Sequence, residues 1–101
     1  MATAEAAYPS LAGRVAFVTG GGSGIGASIV EAFARQKSKV AFVGVDEQAS
    51  ALVQSALSRC GAKFHFERCD VRDTAALRRA IANARDALGP ITILVNNAAS
   101  D

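Results

Sequence analysis

The feature that most constrains the fold is a regular alternation of short apolar runs with stretches of helical periodicity. Four strands are predicted, at residues 14–19, 39–45, 63–69 and 91–95. Between them lie three segments whose apolar residues recur at the spacing of one helical face. Because each crossover helix returns the chain to the same edge of a sheet, the alternation predicts a parallel sheet.

The three predicted helices have recognisable faces and ends. Gly61 is placed to end the second helix, and Asp73 or Thr74 can cap a third helix that runs to Leu88 before Gly89-Pro90. The residues expected to face the sheet are Ile25, Ile29, Ala32 and Phe33 in the first helix and Leu52, Ala56 and Leu57 in the second. Right-handed crossovers place these two helices on one face of the sheet and the third on the other.

The predicted fold class is therefore α/β, a Rossmann-type parallel sheet of strand order 3-2-1-4, truncated after the fourth strand. The third strand alternates, with Phe64 and Phe66 on one side, as expected of a half-buried edge strand. We expect a flexible segment at residues 1–10 and an incomplete dinucleotide-binding domain at residues 11–101. The fourth strand, ITILV, is apolar on both faces, so as a sheet edge it predicts self-association.

A glycine-rich stretch, VTGGGSGIGASI at residues 18–29, lies between the first strand and the first helix. It fits T-G-x-x-x-G-x-G through Thr19, Gly20, Gly24 and Gly26. We expect Gly20 to permit a sharp turn, Gly24 to let a pyrophosphate approach the backbone, and Gly26 to let the helix pack closely. The free N–H groups at a helix N-terminus favour phosphate binding, so this context predicts a dinucleotide site rather than an ordinary turn.

Two aspartates follow the second and third strands at the same edge. Asp46 lies twenty residues beyond Gly26, where a carboxylate accepts from the adenosine ribose and repels a 2′-phosphate, which favours NAD over NADP. Its alternative role is an N-cap of the following helix. Asp70, before Val71, is placed to accept from the adenine amino group, or it is a solvated loop carboxylate.

Together with Asn96-Asn97-Ala98-Ala99, these motifs resemble the short-chain dehydrogenase/reductase family from Leu11 onward. Ala99 departs from the usual Asn-Asn-Ala-Gly, and without the resemblance Asn96-Asn97 indicates only a turn. The resemblance implies an NAD-dependent oxidoreductase, with Asn97 near the adenosine ribose and Ser23 and Ile25 around the pyrophosphate. The implied cofactor-binding residues are Gly20, Gly22, Ser23, Gly24, Ile25, Gly26, Asp46, Asp70, Val71 and Asn97.

Finer similarity points to a subgroup. The stretches YPSLAGRVAFVTGGGSGIGA, FARQ and RCDV are similar to bacterial aldose 1-dehydrogenases such as xylose dehydrogenase, which oxidise the anomeric carbon of a sugar. This similarity implies a sugar or another alcohol or carbonyl substrate, although these stretches lie outside the substrate pocket.

The resemblance implies catalysis by a Ser and a Tyr-x-x-x-Lys that come later in the family, and no Tyr-x-x-x-Lys occurs in these 101 residues. The one tyrosine is Tyr8, and Ala12 stands four residues later; the one histidine, His65, lies on the polar side of its strand. No other arrangement of nucleophile and base substitutes for them. The alternative to an NAD-dependent oxidoreductase is therefore a catalytically inactive nucleotide-binding module.

Composition narrows the remaining classes. Half of the residues are hydrophobic and the net charge is +2, with no basic stripe that would indicate nucleic acid and no apolar run long enough to span a membrane. The N-terminus lacks a secretory signal pattern. Cys60 and Cys69 lack the paired spacing of a zinc site and are predicted to be core residues in a reducing compartment. We therefore expect a cytoplasmic protein without a metal.

Overall fold

The computed structural model describes residues 9–22 and 24–97. A short 3-10 helix, Pro9–Leu11, precedes the first strand; the expected domain boundary at residue 10 falls within it, and residues 1–8 lie outside the described ranges. The elements that follow are β1 (Val15–Thr19), α1 (Gly24–Arg35), β2 (Lys39–Gly44), α2 (Glu47–Arg59), β3 (Phe64–Arg68), α3 (Thr74–Leu88) and β4 (Ile93–Asn96).

The four strands form one parallel sheet in the order β3-β2-β1-β4. Val18 in β1 is in register with Phe42 in β2 and with Val95 in β4. The predicted Rossmann-type topology is confirmed. The direction of chain progression reverses beside β1, so a crevice opens at the carboxyl ends of the strands, next to the turn that leaves β1.

Helices cover both faces of the sheet, as the crossover rule predicts. On one face α1 and α2 enclose a core cluster that includes Val18, Val30 and Phe42. On the other face α3 packs through Ala80 and Ala84 on a cluster that includes residues of β1 and β2. Phe64 and Phe66 of the edge strand β3 pack against the first cluster, with the Phe66 ring centroid 5.1 Å from that of Phe42.

The predicted buried face of α1 is confirmed in part and is wrong for Ile25 and Ala32. The residues that α1 buries are Gly26, Val30 and Ala34, whereas Ile25 is 75% exposed and Ala32 is also exposed. Ile29 and Phe33 are partly buried at the margin of the cluster. A row of small residues lets the helix axis approach the sheet closely. This close approach, and not the size of the apolar side chains, sets the rotation of α1 about its own axis.

The predicted face of α2 is likewise confirmed in part and is wrong for Leu52. Leu57 is buried as expected, but the other buried residues are Ser50 and Val53. Leu52 is 74% exposed, and Ala56 is partly buried. The serine takes the inward position because α2 approaches the glycine-rich turn there, where a leucine side chain has no room.

The predicted helix ends are confirmed. Asp73, not Thr74, is the N-cap of α3, and its Oδ1 accepts from the backbone N–H of Ala76 at 3.1 Å. Gly61 follows the C-cap of α2 with a φ of 74°, the left-handed conformation that glycine adopts without strain.

The two cysteines differ in their surroundings. Cys69 is buried, as predicted, and burial raises the pKa of its thiol. Cys60 is exposed, so the prediction of two core cysteines is wrong for this residue, which is the C-cap of α2 and faces outward with the end of that helix.

None of the helices in residues 9–22 and 24–97 has both the length and the apolarity needed to cross a membrane. Within the same ranges, no three His, Cys, Asp or Glu side chains are grouped so as to hold a metal ion.

Candidate dinucleotide-binding site

The glycine-rich turn leaves β1 at the edge of the sheet where the chain direction reverses. Gly20 has a φ of 69°, which an L side chain rarely adopts, and it starts the sharp turn out of β1. Gly21 donates its N–H to the Val43 carbonyl at 3.1 Å and so fastens the turn to β2. A Cβ at Gly21 would lie 2.6 Å from Phe42 Cβ and 2.8 Å from Val30 Cγ2. The turn therefore packs so closely against β2 and α1 that Gly21 has no room for a side chain.

Gly22 lies against the first turns of α2. A Cβ at Gly22 would collide with Ser50 Oγ, which is fully buried and has no hydrogen-bond partner among the described residues. Ser50 was not among the predicted site residues, because a lone serine in a helical stretch carries no signal of such a contact. Ser23, the next predicted residue, lies outside the described residues.

Gly24 begins α1 and faces open space. Its φ is 58°, and a Cβ built on it meets no atom within 4 Å in residues 9–22 and 24–97, its chain neighbours and its own helix backbone aside. No acidic residue stands in the first turn of α1, so the partial positive charge of that helix end is not offset there. Ile25 follows with its side chain largely exposed at the same end. An anionic group can thus approach the backbone of this turn.

Gly26 lies where α1 meets the end of β1. A Cβ at Gly26 would collide with the Gly20 carbonyl oxygen and would lie 2.7 Å from Asn97 Nδ2. Asn97 itself donates through Nδ2 to the Gly20 oxygen at 3.3 Å. The helix, the glycine turn and the residue after β4 therefore meet at one point, which is the close packing expected of Gly26.

Thr19 ties the ends of β1 and β4 together. Its Oγ1 accepts from the Asn97 N–H at 2.9 Å and lies 3.2 Å from Asn96 Oδ1. Asn97 is thereby held by both its backbone and its side chain. Thr19 belonged to the quoted motif but was not predicted as a site residue, because the motif gives its position and not its partner across the sheet.

Asp46 lies two residues beyond the end of β2 and is exposed. Its Oδ1 accepts from the backbone N–H of Ala49 at 2.9 Å, so Asp46 is the N-cap of α2, one of the two roles that the sequence left open. Oδ2 has no partner among the described residues, and the carboxylate lies at the same sheet edge as the glycine turn. The ribose role stays a prediction.

Asp70 follows β3 at this edge and is paired with Arg72. Oδ1 accepts from the Arg72 backbone N–H at 3.0 Å, and Oδ2 accepts from Arg72 Nη2 at 2.7 Å. Asp70 is therefore a partly exposed carboxylate, 41% of its side chain, that is held in an ion pair. Val71, between the two, packs at the margin of the α3 core. The sequence indicates the Asp70–Arg72 contact only through the two-residue spacing of these opposite charges.

Hydrogen bonds from the Arg72 side chain and backbone lower the pKa of Asp70 from its ordinary value of 3.8 to about 2. Because the folded pKa is depressed, the pair stabilises the fold above pH 3.8, and this contribution is lost as the pH falls through about 2. We expect a carboxyl titration by NMR to show Asp70 titrating near pH 2, and Arg72→Ala to move the midpoint upward. An unchanged midpoint in that variant would contradict the assignment of the pair.

The comparisons with known proteins agree with this geometry. Residues 14–101 match the family model described as short chain dehydrogenase. A "Probable galactose dehydrogenase" of Rhizobium meliloti is 47% identical over 95 residues, which are 93% of this chain and 37% of that protein. D-xylose 1-dehydrogenase of Caulobacter vibrioides is 36% identical over 97 residues, 96% of this chain and 38% of that protein.

Solved structures show the same relationship. A short-chain dehydrogenase/reductase from Serratia marcescens is 40% identical with a TM-score of 0.86, over 92% of this chain and 38% of that one. One from Burkholderia phymatum, solved in complex with NAD, is 33% identical with a TM-score of 0.80, over 83% of this chain and 30% of that one. The chain spans less than two fifths of the length of these relatives. With four strands in Rossmann order, the glycine turn between β1 and α1, and a family model matched over residues 14–101, the chain belongs to the short-chain dehydrogenase/reductase family.

Proposed function

We propose that the chain is the dinucleotide-binding part of an NAD(H)-dependent oxidoreductase that acts on a sugar or another alcohol or carbonyl compound. The observation that carries the proposal is the open backbone at Gly24, where a Cβ would meet no atom of a described residue within 4 Å beyond its chain neighbours and its own helix backbone, and where α1 presents its N-terminus. This is the space that a pyrophosphate needs, and the free N–H groups of the first turn are its donors.

The residues around the turn fit the rest of an adenine dinucleotide. Asp46 has a free carboxylate oxygen for the ribose hydroxyls, and Asn97 holds the end of β4 beside Gly20. Asp70 and Val71 provide the edge where the adenine ring would lie. When bound, the nicotinamide group would accept or donate hydride; the residues of this chain would bind and orient the cofactor.

The sugar class rests on the relatives. Proteins named for galactose and D-xylose oxidation are 47% and 36% identical to the chain. A second candidate is a nucleotide-binding module without catalysis; in these 101 residues the one tyrosine, Tyr8, has Ala12 four residues later, so they contain no Tyr-x-x-x-Lys. The two candidates share the dinucleotide site, so a binding experiment tests what they have in common.

We expect isothermal titration calorimetry to show tighter binding of NAD(H) than of NADP(H). The Asp46 carboxylate would accept from the ribose and repel a 2′-phosphate, and a hydrogen bond to a charged group contributes about 1.5–3 kcal/mol. Asp46→Asn removes the charge and keeps an N-cap acceptor. We therefore expect the NAD(H) affinity of this variant to fall about tenfold and its ratio of NAD(H) to NADP(H) affinity to decrease.

Asp73→Asn is the matched control, because Asp73 caps α3 with the same geometry that Asp46 has on α2. We expect this variant to leave the ratio of NAD(H) to NADP(H) affinity unchanged. A chain that binds NADP(H) more tightly than NAD(H), or that binds neither, would show that the proposal is wrong.

A further inference from the structure

An ion pair joins β3 to the start of α2 at the same edge of the sheet. Arg68, the last residue of β3, places its Nε 3.4 Å from Oε2 of Glu47, the first residue of α2. Both side chains are more than half exposed, Arg68 at 61% and Glu47 at 72%. The contact is a single long one, and exposed pairs of this kind are weak because water screens them.

The position of Arg68 relative to Asp46 follows from the sheet. Arg68 is in register with Gly44 in β2, and the N–H after it, of Cys69, donates to the Gly44 carbonyl at 3.1 Å. Asp46 is two residues beyond Gly44, and Glu47 directly follows Asp46. The guanidinium that contacts Glu47 therefore lies at the N-terminus of α2, the helix end that Asp46 caps.

The second arginine at this edge is not equally available. The guanidinium of Arg72 makes two short contacts with Asp70, at 2.7 Å and 3.0 Å, and its backbone N–H binds the same carboxylate. Arg72 is itself 71% exposed, but several short charge-assisted contacts to one carboxylate are stronger than a single long one. Arg68, with one long contact to an exposed partner, is the arginine that can turn to another anion.

We propose that Arg68 forms a latent subsite for the 2′-phosphate of an adenine dinucleotide, kept closed by the carboxylates of Asp46 and Glu47. The proposal rests on the proposed function, since it needs an adenosine ribose at Asp46. A phosphate monoester carries nearly two negative charges and suits the planar donors of arginine. The Asp46 carboxylate repels that group; in the Asp46→Asn variant, Arg68 leaves Glu47 and binds the phosphate.

The test measures NAD and NADP affinity by calorimetry in a small set of variants, with far-ultraviolet circular dichroism to check folding. We expect Asp46→Asn to bind NADP about tenfold more tightly than the unmodified chain does, and Arg68→Gln in that background to remove the gain without changing NAD affinity. Glu47→Gln in the Asp46→Asn background should raise NADP affinity further, because it frees Arg68.

Arg59→Gln in the Asp46→Asn background is the matched control. It removes the same charge at the far end of α2, about 18 Å away at about 1.5 Å per residue, and we expect it to leave the NADP gain intact. If the gain survives Arg68→Gln, or if Asp46→Asn brings no gain while NAD still binds, the latent subsite is refuted and the proposed function stands. If the unmodified chain binds neither dinucleotide, the proposed function itself is refuted, and the subsite with it.

Discussion

Replacing Gly26 with alanine is expected to destabilise the fold by about 3 kcal/mol, at the upper end of the usual cost of overpacking. The new Cβ would collide with the Gly20 carbonyl oxygen and lie 2.6 Å from its carbon. Both atoms belong to the backbone, so no change of side-chain rotamer relieves the contact. For a domain of this size the melting temperature should fall by more than about 10 °C in thermal unfolding followed by circular dichroism.

The same substitution should weaken dinucleotide binding. The alanine pushes α1 away from the end of β1, and the backbone donors of the glycine turn move with it. It also crowds Asn97 Nδ2, which would lie 2.7 Å from the new Cβ. We expect NAD affinity, measured by calorimetry at a temperature where the variant is folded, to fall tenfold or more, about 1.4 kcal/mol for each factor of ten.

Gly61→Ala separates steric collision from the general cost of replacing a glycine. Gly61 has a φ of 74° and open space around a Cβ, so alanine there should cost only about 1–2 kcal/mol of backbone strain and leave NAD binding unchanged. If Gly26→Ala were no more destabilising than Gly61→Ala, the close contact of α1 with the turn would not hold in solution.

The topology could be predicted from the sequence, and the rotation of the helices could not. Alternating apolar runs and crossover handedness fix the strand order, because few other arrangements bury parallel strands. The buried rows of α1 and α2 run through Gly26 and Ser50 instead of the larger Ile25 and Leu52. A hydrophobicity pattern favours large residues at the buried positions, whereas close packing against a glycine turn needs small ones. The contact between helix and turn is tertiary, so the periodicity of a single helix does not reveal it.

The same limit applies to the site. The positions of the glycines, Asp46 and Asp70 follow from motif spacing, because the carboxyl ends of parallel strands share one edge. What spacing does not give is each side chain's partner within the fold. Asp46 uses one oxygen to cap α2, and Asp70 is held by Arg72. These contacts decide which lone pairs stay free for a ligand, and they depend on local turns after each strand.

The edge of the sheet at β4 leads to the second large effect. Among the described strands, β4 pairs with β1 alone, so its other side presents backbone N–H and C=O groups. Leu94 lies beside Phe17 on the face that α3 covers over β1, yet Leu94 is 68% exposed. The strand Ile93–Asn96 contains no charged residue and no proline that would hinder pairing with another strand.

We therefore expect the 101-residue chain to associate with itself through β4, with dimers or larger species at concentrations of about 10–100 μM. Leu94→Lys should shift the chain toward monomer, because a charge on an edge strand opposes pairing with a second copy. Leu52→Lys is the matched control, since Leu52 is 74% exposed but lies on α2. Light scattering over a concentration series, on samples whose folding is checked by circular dichroism, distinguishes the variants. Two results would show that β4 is not the surface of association: an unmodified chain that stays monomeric at about 100 μM, or an equal shift toward monomer in the Leu94→Lys and Leu52→Lys variants.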